Sequence, residues 1–284
     1  MIKRILSTIG LWLFVIGLVI FFGPVGGVWV LAAFTVLTQY ELYALLEKAD
    51  FAPQKRLGCF LGLFIILGAW YLPAYSKIHF MDAGEDIFTI AIMIVSLSVL
   101  IKPDFSDNRS RIMSTLFGLL LVPFMLHFYV LLVYHFNKIG LPDTGLLLTL
   151  WIVAVAKFTD VGGLLIGSIV GKHKLAAAIS PGKTWEGAIG GITTAAIIGT
   201  LLAFFFGKYF TIPQGFTPLY AGIMAIPIAI IAIASDLIES FIKRKAHVKD
   251  SGSLIPGIGG AFDLMDSLLL TAPCAFLIIK YTLL

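Results

Sequence analysis

Residues 235–267 read SDLIESFIKRKAHVKDSGSLIPGIGGAFDLMDS. Acidic, basic and glycine residues are concentrated here between two apolar runs. The rest of the chain avoids charge: of its 284 residues 13% are charged and 59% are hydrophobic, and its mean hydropathy is +1.00. Such a composition is typical of an integral membrane protein and not of a soluble globular domain.

Apolar runs near the length of about 20 residues that a membrane-crossing helix needs recur along the chain. We predict an all-α, polytopic membrane protein with about nine transmembrane helices, at residues 5–22, 28–46, 57–73, 86–101, 112–134, 145–171, 187–207, 219–240 and 264–283. The connections are short, so we expect one membrane domain over residues 1–284. Within it, residues 1–144 are predicted to form a scaffold and residues 145–284 to carry both charged motif regions.

The distribution of basic residues predicts the orientation in the membrane. With nine spans and a cytoplasmic N-terminus, most of the 20 lysine and arginine residues lie on the inner side, as the positive-inside rule requires. The segment 235–267 and the loop after the sixth span then both face the cytoplasm.

Acidic residues inside or next to spans are costly, at about 2.5–3.5 kcal/mol each at a helix centre, and therefore need partners or a function. A helical spacing of i, i+3, i+4 and i+7 places four polar residues on one face as the eighth span ends: Asp236, Glu239, Ser240 and Lys243. At the start of the ninth span the first three spacings recur: Asp263, Asp266 and Ser267.

Two explanations of these carboxylates remain open. One is internal ion pairing, of Asp236 or Glu239 with Lys243, and of Asp250 with Lys249. The other is a hard cation such as Mg²⁺, whose ligands are carboxylates, waters and substrate phosphates. No base lies near Asp263 and Asp266 in the sequence, which favours the cation.

The run Pro256–Gly260 leaves backbone amides without large side chains ahead of the ninth span. It is either an ordinary turn or a cradle for phosphate at a helix N-terminus.

A second polar region follows the sixth span. Lys157 and Asp160 are three residues apart and form either a self-contained buried pair or part of a site. Further on, Ser180 as an N-cap and Pro181 as the first helical residue predict a helix start. Lys183 would then stand at a positive helix end, where a phosphate can bind. Together with the acidic cluster, these features favour metal-assisted phosphoryl or nucleotidyl transfer at the membrane face.

The sequence resembles the phosphatidate cytidylyltransferases, also called CDP-diacylglycerol synthases. The resemblance is specific over residues 150–284. It rests on the matches Asp236, Leu237 and Glu239, Ser180, Pro181, Lys183, Thr184, Trp185, Glu186 and Gly187, and Ser240, Lys243, Arg244, Lys249, Asp250, Ser251, Gly252, Pro256, Gly257, Gly259, Gly260, Asp263 and Asp266.

The resemblance implies a membrane enzyme that makes CDP-diacylglycerol and pyrophosphate from CTP and phosphatidate. It implies Mg²⁺, with Mn²⁺ and a second metal as options, and leaves a homodimer open; no nucleic-acid partner is expected. The implied localisation is a bacterial-type inner membrane with the active site facing the cytoplasm. The implied metal ligands are Asp236, Asp263 and Asp266, which with Lys249 form the catalytic set. The implied substrate-binding residues are Ser180, Lys183, Lys243, Arg244, Asp250, Gly257, Gly259 and Gly260.

The sequence departs from the family pattern inside its best-matching motif. Ile258 stands where the family usually has histidine, and Leu264 where it usually has arginine. A phosphate monoester is already an anionic nucleophile, so we expect an active enzyme with altered phosphate contacts. The alternatives are a homologue with reduced activity, an enzyme for another lipid phosphate, or a small-solute transporter with acids along its path.

Overall fold

The computed structural model describes residues 2–75, 83–101, 105–210, 215–252 and 259–283. Within these residues the chain is mainly helical. The helices and strands, in order, are α1 (Ile2–Lys48), α2 (Lys55–Tyr75), α3 (Ala83–Leu97), α4 (Phe105–Leu119), α5 (Met125–Lys138), α6 (Pro142–Val170), β1 (Lys174–Ala176), β2 (Ser180–Thr184), α7 (Trp185–Phe206), α8 (Pro218–Lys245), α9 (Ala261–Leu269) and α10 (Thr271–Thr282).

Seven helical segments of the described chain are long and apolar enough to cross a membrane: Gly17–Lys48, Lys55–Pro73, Asn108–Lys138, Pro142–Val170, Trp185–Tyr209, Pro218–Lys245 and Ala261–Thr282. The prediction of an all-α polytopic membrane protein is thus confirmed. The other two predicted spans are also helical. Residues 5–22 lie in α1, and residues 86–101 cover most of the 15-residue helix α3 and a 3₁₀ turn at Ser98–Ile101. The count of nine stays a prediction.

The first two predicted spans are joined without a loop. Residues Ile2–Lys48 form one helix that is interrupted at Gly23, where φ is 58° and ψ is −144°. Glycine adopts this left-handed conformation without a steric penalty. Pro24 follows, and proline is well suited to the first turn of a helix. The interruption therefore falls between the two predicted spans.

The chain forms two compact units. Unit 1 comprises Met1–Tyr134 and Ile242–Met265, and unit 2 comprises His135–Phe241 and Asp266–Leu284. Helices α8 and α9 each contribute residues to both units.

The core of unit 1 contains buried aliphatic side chains from α2, α3 and α4: Leu61, Ile65, Ile87, Ala91, Val95 and Leu119. A buried polar network accompanies this core. Gln39 Nε2 donates to the Gly58 carbonyl oxygen at 3.0 Å, and the Tyr43 hydroxyl donates to the Thr115 carbonyl oxygen at 2.9 Å. Both donors are paired inside apolar surroundings, and the network links α1 to α2 and α4.

In unit 2, α6 and α7 approach through glycine residues. A Cβ atom added at Gly187 would lie 2.8 Å from the Gly163 carbonyl oxygen and 3.2 Å from Gly167 Cα, and one added at Gly191 would lie 2.5 Å from the Thr159 carbonyl oxygen. Two of these distances are below 3.0 Å, which real Cβ atoms essentially never show. The small-residue rows of α6 and α7 therefore allow close helix packing, as such rows do in membranes.

Candidate functional site

Three carboxylates of unit 2 converge. Asp236 and Glu239 lie one turn apart on α8, and Asp266 lies on α9; one carboxylate oxygen from each is within 4.8 Å of the others. Glu239 is buried, with 1% of its surface exposed. Like charges at this separation repel strongly in a site shielded from water. A divalent cation with oxygen ligands would relieve that repulsion, so this cluster could hold a metal ion.

Two lysines from distant segments reach the same cluster. Lys183 Nζ lies 2.6 Å from Asp236 Oδ2. Lys157 Nζ lies 3.4 Å from Asp266 Oδ1 and donates to Ser267 Oγ at 2.8 Å. Asp266 therefore has a basic partner in the structure, although no base lies near it in the sequence.

Lys157 also lies 3.9 Å from Asp160 Oδ2, which brings a fourth carboxylate to the cluster. Of the two sequence interpretations of Lys157 and Asp160, the site contribution is supported, because the shorter contacts of Lys157 are to α9. Unit 2 thus gathers four carboxylates and two ammonium groups. The surplus of negative charge still suits a cation.

Lys183 is held by a β-hairpin. Strands β1 and β2 are antiparallel, with Lys174 opposite Thr184 and Ala176 opposite Ser180. The prediction of a helix start with Ser180 as N-cap and Pro181 as first helical residue is wrong, since both lie in β2. Helix α7 begins at Trp185, and the Thr184 side chain is its cap, accepting from the Gly187 N–H at 3.1 Å. Lys183 is therefore the residue before the N-cap.

The Glu186 side chain links the residues just before β1 to the first turn of α7. Its carboxylate accepts the Lys172 N–H at 3.1 Å and the His173 N–H at 3.2 Å, and lies 2.6 Å from His173 Nδ1. His173 thus helps to fix the segment that carries Lys183.

A cavity of about 370 Å³ opens in unit 2 beside the hairpin. Its volume lies within the range of small-molecule sites. It is lined by Thr159, Asp160, Gly163, Leu164, Gly167, Ser168, Leu175, Ser180, Gly182, Lys183, Thr184, Gly187, Ala188, Ile233 and Asp236. Three predicted site residues, Ser180, Lys183 and Asp236, therefore share one cavity.

Ser235 anchors this part of α8. Its hydroxyl donates to the Asp266 carbonyl oxygen and accepts the Leu270 N–H at 3.3 Å, where α9 ends and α10 begins. The Ser240 hydroxyl lies 3.5 Å from Asp236 Oδ1. These contacts restrict the positions of Asp236 and Asp266.

Unit 1 contains the remaining described site residues, and several of them contact Asp263. Lys243 Nζ lies 2.9 Å from Asp263 Oδ1. Asp263 Oδ2 accepts the Gly260 N–H at 2.8 Å and the Ser251 N–H at 3.1 Å. The carboxylate of Asp263 thus joins the last turn of α8 to the first turn of α9.

Gly259 has a φ of 122°, and a Cβ atom there would lie 2.7 Å from Asp263 Oδ2. The conformation therefore favours glycine, and a larger residue would have to displace the Asp263 carboxylate. Arg244, Lys249 and Asp250 are exposed. Gly257, together with Pro256 and Ile258, lies outside the described residues, and Leu264 is a half-buried residue of α9.

Three residues of the acidic cluster or of the cavity beside it are not among the site residues that the resemblance implies: Glu239, Lys157 and Thr184. The i+3 spacing from Asp236 could have identified Glu239 as a ligand. Lys157 offered only its spacing of three residues from Asp160, and Thr184 only a hydroxyl one residue before a tryptophan.

Known proteins with similar sequences indicate the family of the chain. The model of the cytidylyltransferase family matches residues 2–282. A phosphatidate cytidylyltransferase of Rickettsia bellii is 34% identical over 194 residues, covering 68% of this chain and 80% of the relative.

Two further relatives extend over nearly the whole chain. A phosphatidate cytidylyltransferase of Haemophilus influenzae is 30% identical over 284 residues, 95% of this chain and 96% of its own. The enzyme of that name from Helicobacter pylori is 30% identical over 267 residues, 93% of this chain and 84% of its own. A family match from one end of the chain to the other, on a helical membrane scaffold with clustered carboxylates and lysines, means that the chain belongs to the cytidylyltransferase family.

Proposed function

We propose that the chain is a phosphatidate cytidylyltransferase that converts CTP and phosphatidate to CDP-diacylglycerol and pyrophosphate. The observation that carries the proposal is the acidic cluster of Asp236, Glu239 and Asp266 with Lys183 beside it, in a chain similar over its length to enzymes of that name. Anionic substrates need such cations and metal ligands.

In the proposed reaction a phosphate oxygen of phosphatidate attacks the α-phosphorus of CTP. A new P–O bond forms, the bond to the β-phosphate oxygen breaks, and pyrophosphate leaves with the bonding electrons. The nucleophile is already an anion, so the chain need not supply a general base. Its task is to bind and orient two polyanions and to exclude water.

Asp236, Glu239 and Asp266 are the proposed metal ligands of unit 2, and we retain Asp263 as a ligand because it matches the family motif. We propose Mg²⁺, with Mn²⁺ as a substitute and a second metal as an option. Such an ion would neutralise phosphate charge and polarise the phosphorus under attack. Lys157, which touches Asp266 and Ser267, would hold one ligand in orientation.

Lys183 is proposed to bind phosphate from the cavity that it lines. Lys249 is retained as a catalytic residue, and the family motif supports substrate contacts for the following residues: Ser180, Lys243, Arg244, Asp250, Gly257, Gly259 and Gly260. The exposure of Arg244, Lys249 and Asp250 is consistent with access to a soluble nucleotide.

We further propose one membrane domain with nine spans, a cytoplasmic N-terminus and a scaffold in residues 1–144. The interruption at Gly23 supports two spans within α1, since 47 helical residues extend for about 70 Å, more than twice the hydrocarbon thickness. The enzyme would reside in a bacterial inner membrane with its active site towards the cytoplasm. A homodimer is compatible with the proposal.

The test uses purified protein in phosphatidate-containing vesicles with Mg²⁺ and CTP labelled at either the α- or the γ-phosphate. We expect the α-label to enter the lipid and the γ-label to appear in pyrophosphate. Asp236→Asn should remove both signals, whereas Asp143→Asn, at an exposed position in the first turn of α6, should keep them. A folded wild-type protein that yields no labelled lipid would contradict the proposal.

A further inference from the structure

Glu41 is a half-buried carboxylate in the membrane helix α1, far in sequence from every motif considered so far. Its neighbours Leu42, Tyr43 and Leu45 are fully buried. An acidic residue in such surroundings is costly unless it is paired or functional.

The partners of Glu41 lie at the beginning of α9 and just after α8, within unit 1. Glu41 Oε2 accepts the Phe262 N–H at 2.9 Å. The same oxygen lies 2.9 Å from the Ser251 hydroxyl. The Phe262 N–H belongs to the first turn of α9, where backbone donors have no partner in the helix itself, and a carboxylate satisfies such a donor well.

Two glycines provide space for the carboxylate. A Cβ atom at Gly252 would lie 2.5 Å from Glu41 Oε1, and one at Gly260 would collide with both Glu41 Oε2 and the Ser251 hydroxyl. Both glycines belong to the motif that identifies the family. A physical reason for their small size is therefore the close approach of Glu41.

Ser251 connects Glu41 to Asp263. The Ser251 hydroxyl lies 2.9 Å from Glu41 Oε2 and 3.0 Å from Asp263 Oδ2, and the Ser251 N–H also donates to Asp263. A hydroxyl has one proton. Since Asp263 already receives two N–H groups and the Lys243 ammonium, the hydroxyl proton is best donated to Glu41.

We propose that Glu41 is a positioning residue for the cytidylyl transfer: through Ser251 and the first turn of α9 it fixes the carboxylate of Asp263. The inference rests on the proposed function. It assigns a functional contribution to helix α1, which lies in the predicted scaffold.

The test combines kinetics with amide hydrogen exchange of the peptide that contains Phe262. In Glu41→Ala we expect about tenfold faster exchange there, because a hydrogen bond to a charged acceptor is lost. We expect kcat to fall about 10–100-fold, as for other residues that orient a ligand, with little change in KM. Glu41→Gln should keep the exchange rate and kcat close to those of the wild type, because its amide oxygen can accept from both partners.

The matched control is Glu47→Gln, which changes an exposed glutamate of the same helix that pairs with Lys55 at 2.8 Å. It should leave exchange and kcat unchanged. Ser251→Ala keeps the contact between Glu41 and Phe262 but removes the link to Asp263. Ser251→Ala should lower kcat. Adding Glu41→Ala to Ser251→Ala should lower kcat by a smaller factor than Glu41→Ala does in the wild type, because both changes break the same network.

Unchanged Phe262 exchange in Glu41→Ala would overturn the contact itself, whatever the activity. Altered exchange with an unchanged kcat would overturn the positioning role. If Glu41→Ala does not fold, full kcat in Ser251→Ala overturns the proposal equally. A wild-type protein that makes no CDP-lipid would instead refute the proposed function, while the exchange data would still judge the contact.

Discussion

Lys183 Nζ lies 2.6 Å from Asp236 Oδ2, so the end of a β-hairpin is paired with the acidic face of α8. Both side chains are partly exposed, at 24% and 21%, and both line the cavity. The pair therefore presents a cation and a metal-ligand candidate to the same volume, which suits a substrate that carries both phosphate and a divalent ion.

Lys183→Met should lower kcat/KM for CTP by about 100–1,000-fold, because one positioned donor to the transition-state phosphate is removed. Steady-state kinetics with vesicle-bound phosphatidate measures this. Lys183→Arg, which keeps the charge, should be intermediate. Lys208→Met, at an exposed lysine in the 3₁₀ turn after α7, is the control. Equal loss in both methionine variants would argue against the assignment.

Asp236→Asn, Glu239→Gln and Asp266→Asn should each raise the Mg²⁺ concentration for half-maximal activity by about 10–100-fold, because each removes a charged ligand. Thermal unfolding with and without Mg²⁺ or Mn²⁺ gives a second readout. The metal should raise the Tm of the wild type and of Asp143→Asn, but raise it much less in the three variants. A normal metal response in Glu239→Gln would remove that residue from the ligand set.

Thr184→Ala should reduce the free energy of unfolding by about 1 kcal/mol, the usual cost of a lost N-cap. Thr184→Ser, which keeps the hydroxyl, should lose less. Ser180→Ala distinguishes the observed start of α7 from a helix that would start at Ser180. The Ser180 side chain lies in β2 and caps no helix, so the free energy of unfolding in detergent should change little. A larger loss for Ser180→Ala than for Thr184→Ala would contradict the observed start of α7.

Gly187→Ala should destabilise the protein by about 1–3 kcal/mol, because the added methyl group meets the backbone of α6. Gly207→Ala is the matched control, since a Cβ atom there has nothing within 4 Å. Chemical unfolding of both variants in the same detergent provides the comparison. Equal stability of the two would mean that α6 and α7 can separate freely.

Hydropathy and helical spacing predict much of the structure. The seven segments that are long and apolar enough to cross a membrane coincide with predicted spans, because length and apolar content are properties of a segment alone. The spacing of Asp236 and Glu239 on one helix face is likewise local. Asp266 joins them in space.

The missing parts depend on contacts between distant segments. The ion pairs of Lys183 with Asp236 and of Lys157 with Asp266 join residues far apart in the sequence and have no local signature. From the sequence alone, Asp266 therefore wrongly appears to have no basic partner. Ser180 and Thr184 are both suitable N-caps. Pairing of β2 with β1 decides between them, because the hairpin extends the chain as far as Thr184.

The glycines that bring α6 and α7 together also line the cavity: Gly163, Gly167 and Gly187. The spacing of α6 and α7 and the shape of the cavity consequently change together. Any larger residue at these positions would push the helices apart and occupy the cavity at the same time. Leu175 and Gly182 line the cavity from the hairpin and take no part in the packing of α6 against α7. Substitutions at these two positions are therefore the easier way to adapt the cavity to a substrate of another size, in evolution or in engineering.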